Sequence, residues 1–300
     1  MSQNNILICS AGKRVELVKS FTSAISNLKI DGEVYTTDYL PKLSAACQIS
    51  DKAFQVPKVN ADNYIETLLK ICIQNKVKLV LPTIDDELKI LAKNKSYFAK
   101  NKIEIIISTE KLINDCRDKR KTGNLFKNIN IKYPKIFSKD NIVFPCFCKP
   151  YDGSSSKNNL IIFKKSELTP KLLNNKKNIF MALVGDEFNE YTIDIYFNRD
   201  GVMCSLVPRE RIEVRNGEIH KGITRKNFLY GFLLDRLTLL EGAIGCITAQ
   251  LFYNLQTNEV IGIEINPRFG GGYPLSDSAG AKYSEWLIKE YFLGETIGFF

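Results

Sequence analysis

The segment that most constrains this chain runs from Ile263 to Gly272 and reads IEINPRFGGG. Side chains two positions apart on a strand share one face, so Glu264 and Asn266 are expected to point the same way. A carboxylate and an amide oxygen are hard ligands of the kind that Mg²⁺ takes in proteins. Arg268, on the same face after the strand, adds a planar cation suited to phosphate. The segment therefore predicts the metal end of an ATP site.

The same segment has a purely structural interpretation. Ile261, Ile263 and Ile265 alternate with small or polar residues, and this alternation alone predicts a half-buried strand followed by a glycine turn. What favours the chemical interpretation is the set of motifs that precede the strand.

Composition limits the possible classes of protein. With 300 residues, of which 44% are hydrophobic, the chain can form a full core and two or three domains or lobes. Its apolar runs are all shorter than the roughly 20 residues that span a bilayer, and it begins with the polar sequence MSQNN. We expect a soluble, cytoplasmic protein with no membrane partner.

The eight cysteines are scattered singly and do not form a disulfide framework, so reduced, buried thiols are expected. Cys146 and Cys148 form a CxC pair, but their aromatic neighbours Phe144 and Phe147 predict a packed strand. Zinc would require further ligands at matching spacing.

The chain has one histidine, His220, which argues against hydrolase triads and histidine-rich metal centres. The net charge of +9 makes nucleic acid an alternative partner. However, the lysines are dispersed and no aromatic ladder accompanies them, so nucleic acid binding is not favoured. A basic protein also suits a polyanionic nucleotide.

The first hundred residues alternate apolar strand-like and amphipathic helical segments, which predicts a parallel sheet with helical crossovers. A single glycine after the first strand is far short of a dinucleotide fingerprint, so a Rossmann-like domain without its own nucleotide is expected. The predicted strands are Ile6–Cys9, Val34–Thr37, Leu79–Leu81 and Ile103–Ile107, and the predicted helices are Val15–Leu28 and Tyr64–Ile73.

Polar residues follow the strand that ends at Leu81. Ligands bind at the carboxyl ends of strands in open sheets, so Thr83, Asp85, Asp86 and Glu87 are candidate substrate contacts. Alternatively, Thr83 or Asp85 caps a helix whose first turn favours acidic residues.

A second phosphate-binding feature lies between Phe147 and Asn159, which read FCKPYDGSSSKNN. An apolar strand delivers Lys149, and a glycine- and serine-rich loop follows. Such a loop can turn backbone N–H groups and hydroxyls toward phosphate oxygens while the lysine supplies charge.

Taken in order, these motifs resemble the ATP-grasp superfamily, most nearly its members similar to the carbamoyl-phosphate synthase large chain. The resemblance rests on DKRKT at 118–122, KPYDGSSS at 149–156, GDEFNEYTID at 185–194, Gln250 on an apolar strand and the IEINPRFGGG segment. It extends to LPTIDDEL at 81–88. It implies an α/β protein with a Rossmann-like pre-ATP-grasp domain (1–112) and a two-lobed α+β ATP-grasp domain (113–300), whose lid lobe spans about 143–184.

The resemblance also implies roles for individual residues. Lys119 and Lys149 would contact the nucleotide phosphates, and a hinge would hold adenine through its backbone. Either Glu187 or Glu190 would bind ribose, because the doubled acidic pattern leaves the register open. The lid loop that would close over the phosphates comprises Asp152, Gly153, Ser154, Ser155 and Ser156, and the hinge comprises Phe180, Met181, Ala182 and Leu183.

Metal and catalytic roles follow in the same way. Gln250, Glu264 and Asn266 would hold magnesium, or manganese in its place, with glutamine standing where many superfamily members have an acid. Arg268 would steady the transferred phosphoryl group. Arg209, Arg211 and Arg225 flank a strand and turn expected to reach the same cleft, where each is a candidate for catalysis or carboxylate binding. Arg209 is preferred, because it follows the apolar run Cys204–Val207 most directly.

The implied function is an ATP-dependent carboxylate–amine ligase that forms an amide through an acyl phosphate. Its partners would be a small carboxylic acid and an amine, and a homodimer is possible in such a protein. One synthetase unit fits in 300 residues, so full carbamoyl-phosphate synthesis is not expected. The alternatives are a synthetase that works through carboxyphosphate, and a non-catalytic nucleotide- or RNA-binding protein on the same fold.

Overall fold

The computed structural model describes residues 4–153, 158–215 and 217–300, which form a mixed α/β structure with three sheets. The helices are α1 (Val15–Asn27), α2 (Ala45–Ile49), α3 (Tyr64–Gln74), α4 (Asp85–Ala99), α5 (Glu110–Arg117), α6 (Lys119–Asn128), α7 (Pro170–Asn174), α8 (Phe228–Leu237), α9 (Tyr273–Ser278) and α10 (Tyr283–Ile288). The strands are β1 (Asn5–Ile8), β2 (Val34–Asp38), β3 (Lys52–Gln55), β4 (Val77–Leu81), β5 (Glu104–Ile105), β6 (Ile136–Phe137), β7 (Cys146–Pro150), β8 (Leu160–Ile162), β9 (Asn178–Ala182), β10 (Asn189–Phe197), β11 (Met203–Arg215), β12 (Glu218–Thr224), β13 (Gly245–Tyr253) and β14 (Val260–Asn266).

The amino-terminal sheet is parallel throughout, with the order β3-β2-β1-β4-β5. Strand β1 is buried along its whole length, as expected where helices cover both faces of a parallel sheet. The predicted Rossmann-like alternation is confirmed. Strand β3 and helix α2 were not predicted, because KAFQ is polar at both ends and α2 is only five residues long.

The two faces of this sheet pack into different cores. Leu7 and Cys9 point toward α3 and α4, whereas Ile6 and Ile8 join a cluster that also contains Phe269 and Trp286 from the far end of the chain. The amino-terminal domain is therefore fixed to the carboxy-terminal region by buried apolar contact, which stabilises a cleft built from both.

The central sheet is antiparallel, with the order β12-β11-β10-β13-β14. One face buries Tyr191, Ile193, Ala249 and Leu251 against α8 and its neighbours. Because side chains alternate along a strand, the intervening residues project from the opposite face. This opposite face carries the polar residues of the site.

The third sheet, with the order β6-β9-β7-β8, forms a small lobe over the cleft. Its core contains Cys146, Cys148, Ile162 and Phe180. The prediction of a packed CxC strand is confirmed, and all eight cysteines are free and buried. Among the described residues, no helix is long and apolar enough to cross a bilayer.

A β-bulge corrects the simple alternation predicted for β14. The register with β13 shifts between Gln250 and Leu251, so Gly262 faces the core while Ile261 and Ile263 do not join it. A Cβ on Gly262 would lie 2.5 Å from the ring of Phe126, so only glycine fits there. An extra residue in one strand re-aims the side chains beyond it, here Glu264 and those that follow.

The capping alternative at the start of α4 is wrong. The Thr83 hydroxyl donates instead to the carbonyl oxygens of Cys9 and Ser10, each at 2.9 Å. Asp85 forms an ion pair, and α4 begins without a side-chain cap.

Glu87 is fully buried and does not line the cleft, which corrects its prediction as a substrate contact. Its Oε1 accepts hydrogen bonds from the hydroxyls of Ser10 and Tyr64, and its Oε2 has no partner among the described residues. Burial raises the pKa of Glu87 to about 7, although both hydrogen bonds oppose the shift.

Glu87→Gln is expected to flatten the pH dependence of stability between the ordinary glutamate value of 4.5 and about 7. A raised folded-state pKa means that the folded protein holds a proton that the unfolded chain releases. The stability from this group is therefore complete below pH 4.5 and is lost as pH rises through 7, by at most about 3 kcal/mol. Urea unfolding at pH 5 and pH 7.5 measures the difference, with the exposed Glu66→Gln as control. Equal pH slopes for wild type and Glu87→Gln would contradict this assignment.

Candidate active site

A cavity of about 910 Å³ lies where the central sheet, the lid sheet and the carboxyl edge of the amino-terminal sheet meet. Each of the three contributes side chains to its walls. The lid supplies Phe147, Lys149, Gly153, Ile161 and residues 181–184; the central sheet supplies Glu190, Thr192, Arg209, Arg211, Thr248, Gln250, Glu264 and Asn266; and the amino-terminal domain supplies Arg14, Thr83, Asp85 and Asp86.

The three predicted metal ligands converge on one point of the cavity wall. Gln250 lies opposite Glu264 across the β13–β14 pair, and Asn266 follows two residues later. The Oε1 atom of Glu264 accepts hydrogen bonds from the amide nitrogens of both Gln250 and Asn266, each at 3.0 Å. The predicted common face of Glu264 and Asn266 is therefore observed.

This donor set fits a hard divalent cation. A terminal amide exchanges its nitrogen and oxygen by rotation, so Gln250 and Asn266 can both turn oxygens toward a cation beside Glu264. Oxygen ligands with few protein charges suit Mg²⁺, which retains waters and phosphate oxygens in its shell. Among the described residues, no group of three or more His, Cys, Asp or Glu side chains could hold a metal ion.

The two predicted phosphate lysines are both nearly buried. Lys149 on β7 is 7% exposed, and Lys119 at the start of α6 is 8% exposed. The Lys119 ammonium donates to the carbonyl oxygen of Gly153 at 2.6 Å, which ties α6 to the lid loop. The pKa of Lys149 is lowered to about 8, chiefly by burial; Glu264 opposes the shift and Lys119 adds to it. A buried, poorly solvated ammonium on a cavity wall is well prepared to bind an anion.

Of the residues predicted to bind adenine and ribose, some line the cavity and others do not. Ala182 and Leu183 line the cavity, whereas the Phe180 side chain lies in the lid core. Glu187 is exposed and does not line the cavity. Glu190 does, with its carboxylate 3.1 Å from Nε of Arg211, and burial raises its pKa while Arg211 lowers it.

Arg209 is 1% exposed, an unusual environment for a guanidinium. Its Nη2 pairs with Asp194 at 3.2 Å. Asp194 is itself fully buried and accepts hydrogen bonds from Ser276 at 2.6 Å and from Thr248 at 3.4 Å. The Nε and Nη1 atoms of Arg209 have no hydrogen-bond partner in the part of the chain that the structure describes.

The glycine turn after β14 makes room for this arginine. A Cβ on Gly272 would lie 2.2 Å from Nη1 of Arg209, and a Cβ on Gly271 would lie 3.0 Å from Nη1 of Arg14. The backbone angles of these glycines are ordinary, so close approach is what favours glycine here.

Arg268 connects the two domains. Its Nε and Nη2 atoms bind the two carboxylate oxygens of Asp85 at 3.0 and 2.8 Å, a bidentate ion pair with both side chains about one-sixth exposed. Asp85 therefore lies at the cleft, as predicted, but in this structure it contacts Arg268.

Several sequence candidates lie away from the cavity or outside the described residues. Asp152 pairs with Lys177 at 2.6 Å, Arg225 pairs with Glu210 at 3.3 Å, and His220 is exposed. Ser154, Ser155 and Ser156 of the lid loop lie outside the described residues.

Part of the cavity wall consists of residues that the sequence motifs do not indicate. Arg14 comes from the turn before α1, and Tyr133 and Phe188 come from segments without regular secondary structure. Thr192 and Thr248 could have been found, because they alternate with core residues on the strands that carry Glu190 and Gln250.

Gly272→Ala is expected to destabilise the protein by about 2–4 kcal/mol, because the added methyl group displaces the Arg209 guanidinium from its buried carboxylate. Gly231→Ala is the matched control: Gly231 lies inside α8 with no atom within 4 Å of its Cβ position, so alanine there should stabilise by about 0.5–1 kcal/mol. Thermal and urea unfolding measure both. Similar stability of the two variants would contradict the close-approach argument.

Two family models match the sequence. One, described as an ATP-grasp domain, matches residues 116–272, and the other, described as a PylC-like N-terminal domain, matches residues 6–106. Among curated proteins, none matches the sequence significantly.

Solved structures share the fold at low sequence identity. N5-carboxyaminoimidazole synthetase from Staphylococcus aureus, complexed with ADP, is 14% identical with a TM-score of 0.73, and the match covers 99% of this chain and 79% of that one. L-amino acid ligase from Bacillus licheniformis is 13% identical with a TM-score of 0.70, covering 97% and 74%. Pyruvate carboxylase from Rhizobium etli is 13% identical with a TM-score of 0.70, covering 92% of this chain but only 27% of its own length.

These matches agree with the motif order and with the three sheets. The ATP-grasp family model covers more than half of the chain. The two ligase structures match the fold of this chain over nearly its whole length. The chain therefore belongs to the ATP-grasp family, as its motifs predicted.

Proposed function

We propose that the protein is an ATP-dependent carboxylate–amine ligase that works through an acyl phosphate. The observation that carries the proposal is the row of side chains Arg209, Thr192, Gln250 and Glu264 across the central sheet. This row faces a cavity whose other wall holds two nearly buried lysines. Phosphoryl transfer depends on positioning and charge neutralisation, and these residues supply both without a histidine.

ATP would lie between the lid and the central sheet. Lys119 and Lys149 would bind its phosphates, and backbone groups of Ala182 and Leu183 would hold adenine. Glu190 is the better ribose ligand than Glu187, because Glu190 lines the cavity and Glu187 does not. The loop around Gly153 would cover the phosphates, since the carbonyl of Gly153 already contacts Lys119.

Gln250, Glu264 and Asn266 would hold magnesium, or manganese in its place, with Glu264 able to contact two ions. When bound, the cation neutralises charge on the phosphates and aligns the terminal phosphoryl group. Arg268 would contact the same phosphoryl group, with Asp85 setting the direction of its guanidinium.

The reaction has two balanced steps. A carboxylate oxygen of the acid attacks the terminal phosphorus of ATP, the bond from that phosphorus to the bridging oxygen breaks, and ADP leaves. The amine nitrogen then attacks the acyl carbon, phosphate leaves with the electron pair of the carbon–oxygen bond, and the nitrogen gives up a proton. Water must be excluded while the acyl phosphate exists, a task for the lid lobe.

The cytoplasm is the proposed location. All eight cysteines are free and buried, the state expected of thiols in a reducing compartment. A small acid and an amine are the proposed partners, since the cavity volume lies in the range of small-molecule sites.

Lys149→Met is expected to weaken ATP binding on the order of 10- to 100-fold, because a charge-assisted contact to phosphate is lost. Its unfolding free energy at pH 7 should stay level or rise, since an ammonium whose pKa is lowered to about 8 opposes folding below that pH. In wild type, ATP affinity should fall as pH rises through 8, when the free amine forms. Calorimetric titration between pH 6.5 and 9 measures this, with the exposed Lys164→Met as control. A pH-independent affinity in wild type would contradict a phosphate-binding Lys149.

Hydroxylamine trapping tests the ligase reaction itself. Incubation with ATP, magnesium and pools of carboxylic acids should give a hydroxamate and ADP, because hydroxylamine captures an acyl phosphate. Glu264→Gln should lower the yield on the order of 100-fold or more, whereas Glu259→Gln, which lies beyond the turn and pairs with Lys132, should not. ATP binding with no acid-stimulated ADP and no hydroxamate would favour a nucleotide-binding protein. RNA binding that survives Glu264→Gln would favour the nucleic acid alternative.

A further inference from the structure

The two ends of the cleft can be told apart along strand β10. One end lies at the lid, where the nucleotide is proposed to bind, and the far end lies toward Asp194. Strand β9 ends at Ala182 and leads through residues 183–188 into β10, so Glu190 lies at the lid end. Two residues further along β10, Thr192 faces Gln250, and after two more Asp194 faces Thr248. Since each such step is roughly 7 Å along a strand, Asp194 lies one step beyond the row that contains Thr192, Gln250 and Glu264.

The far end is closed by the glycine segment 270–272 and by the amino-terminal domain. Arg268 in the preceding turn binds Asp85, and Arg14 lies beside Gly271, with its Nη2 donating to the carbonyl oxygen of Thr83 at 3.4 Å. The Arg209 guanidinium bends toward this end, because it contacts Asp194 and Gly272.

Three guanidinium groups thus converge around one short turn. Arg14 lies beside Gly271 and Arg209 beside Gly272, while Arg268 is two residues before Gly270. Burial raises the pKa of the nearby Cys246 thiol and Asp194 adds to the rise, whereas Arg268, Arg209 and Arg14 each lower it. Arg268 is neutralised by a bidentate carboxylate. Arg209 is not saturated in the same way: its Nε and Nη1 atoms are buried and have no hydrogen-bond partner among the described residues. The Arg209 side chain is also part of the cavity wall.

Buried donors of this kind are costly unless a ligand accepts from them. An unsatisfied charged donor costs more free energy than a neutral one, and a guanidinium presents its donors in a planar fork that matches carboxylate or phosphate oxygens. The neighbouring glycines carry no side chain that could cover the fork. The geometry is therefore that of a site prepared for an oxyanion.

We propose that Arg14 and Arg209 are the two sides of an anion subsite at Gly270–Gly272. The subsite takes a second anionic group of the acid substrate, a carboxylate or a phosphate that does not react. The substrate class is thus an acid with two anionic groups, one activated beside Glu264 and one held at the glycine turn. This inference rests on the proposed ligase function, and Arg14 is its specificity-determining residue.

Matched pairs of acids test the subsite. Hydroxamate formation is measured with succinate and succinamate, L-glutamate and L-glutamine, and 3-phosphoglycerate and glycerate, at varied concentration. Wild type should prefer the doubly anionic member of at least one pair on the order of 10- to 100-fold in kcat/KM. The dicarboxylate pairs and the phosphate pair distinguish the two sources of the anion.

Arg14→Met should remove most of that preference, by lowering kcat/KM for the dianion while leaving the singly charged partner and the KM for ATP nearly unchanged. Arg14→Lys should retain part of it. Lys19→Met, on the exposed face of α1, the helix that follows Arg14, is the control. Equal use of both members by wild type, or an equal loss for both in Arg14→Met, overturns the subsite.

A binding measurement separates failure of the subsite from failure of the ligase proposal. If no acid yields a hydroxamate, the ligase proposal fails, and the same pairs are compared as ligands of the protein with magnesium and ADP. A rise in Tm with the dianion alone, lost in Arg14→Met, supports the subsite. The absence of any dianion-selective rise overturns it.

Discussion

The pairing register of β10, β11, β13 and β14 is the constraint on which the site depends. It lines up Arg209, Thr192, Gln250 and Glu264 in one row while the alternate residues form the core. A slip of one residue would turn the polar set inward and the apolar set outward, so burial of the apolar face fixes the register strongly. The bulge at Gln250 then re-aims the end of β14 into the cavity.

Burial gives the site its electrostatic character. Lys149 is largely removed from water and carries a lowered pKa, and Arg209 is held by Asp194 inside the carboxy-terminal region. A buried pair such as Asp194 and Arg209 adds little net stability, because desolvation offsets the attraction. The pair instead orients the guanidinium, because the carboxylate binds Nη2 and leaves Nε and Nη1 without a hydrogen-bond partner among the described residues.

How much the sequence could predict depended on whether a contact was local. The strand alternation and motif order were enough for the family, the parallel sheet and the common face of Glu264 and Asn266. The Asp85–Arg268 ion pair joins residues 183 positions apart, and nothing in either local pattern indicates it. The bulge could not be predicted either, because Ile261 and Ile263 continue the alternating pattern in the sequence. Only the structure shows the register shift that turns Gly262 toward Phe126 in the core.

In the proposed reaction, an acid carboxylate attacks the terminal phosphate of ATP. An acid labelled with ¹⁸O at both carboxylate oxygens tests this step, since the attack carries one labelled oxygen into the phosphate that is released. We expect the released phosphate to contain one ¹⁸O atom for each amide formed. Amide formation accompanied by unlabelled phosphate would rule out this attack.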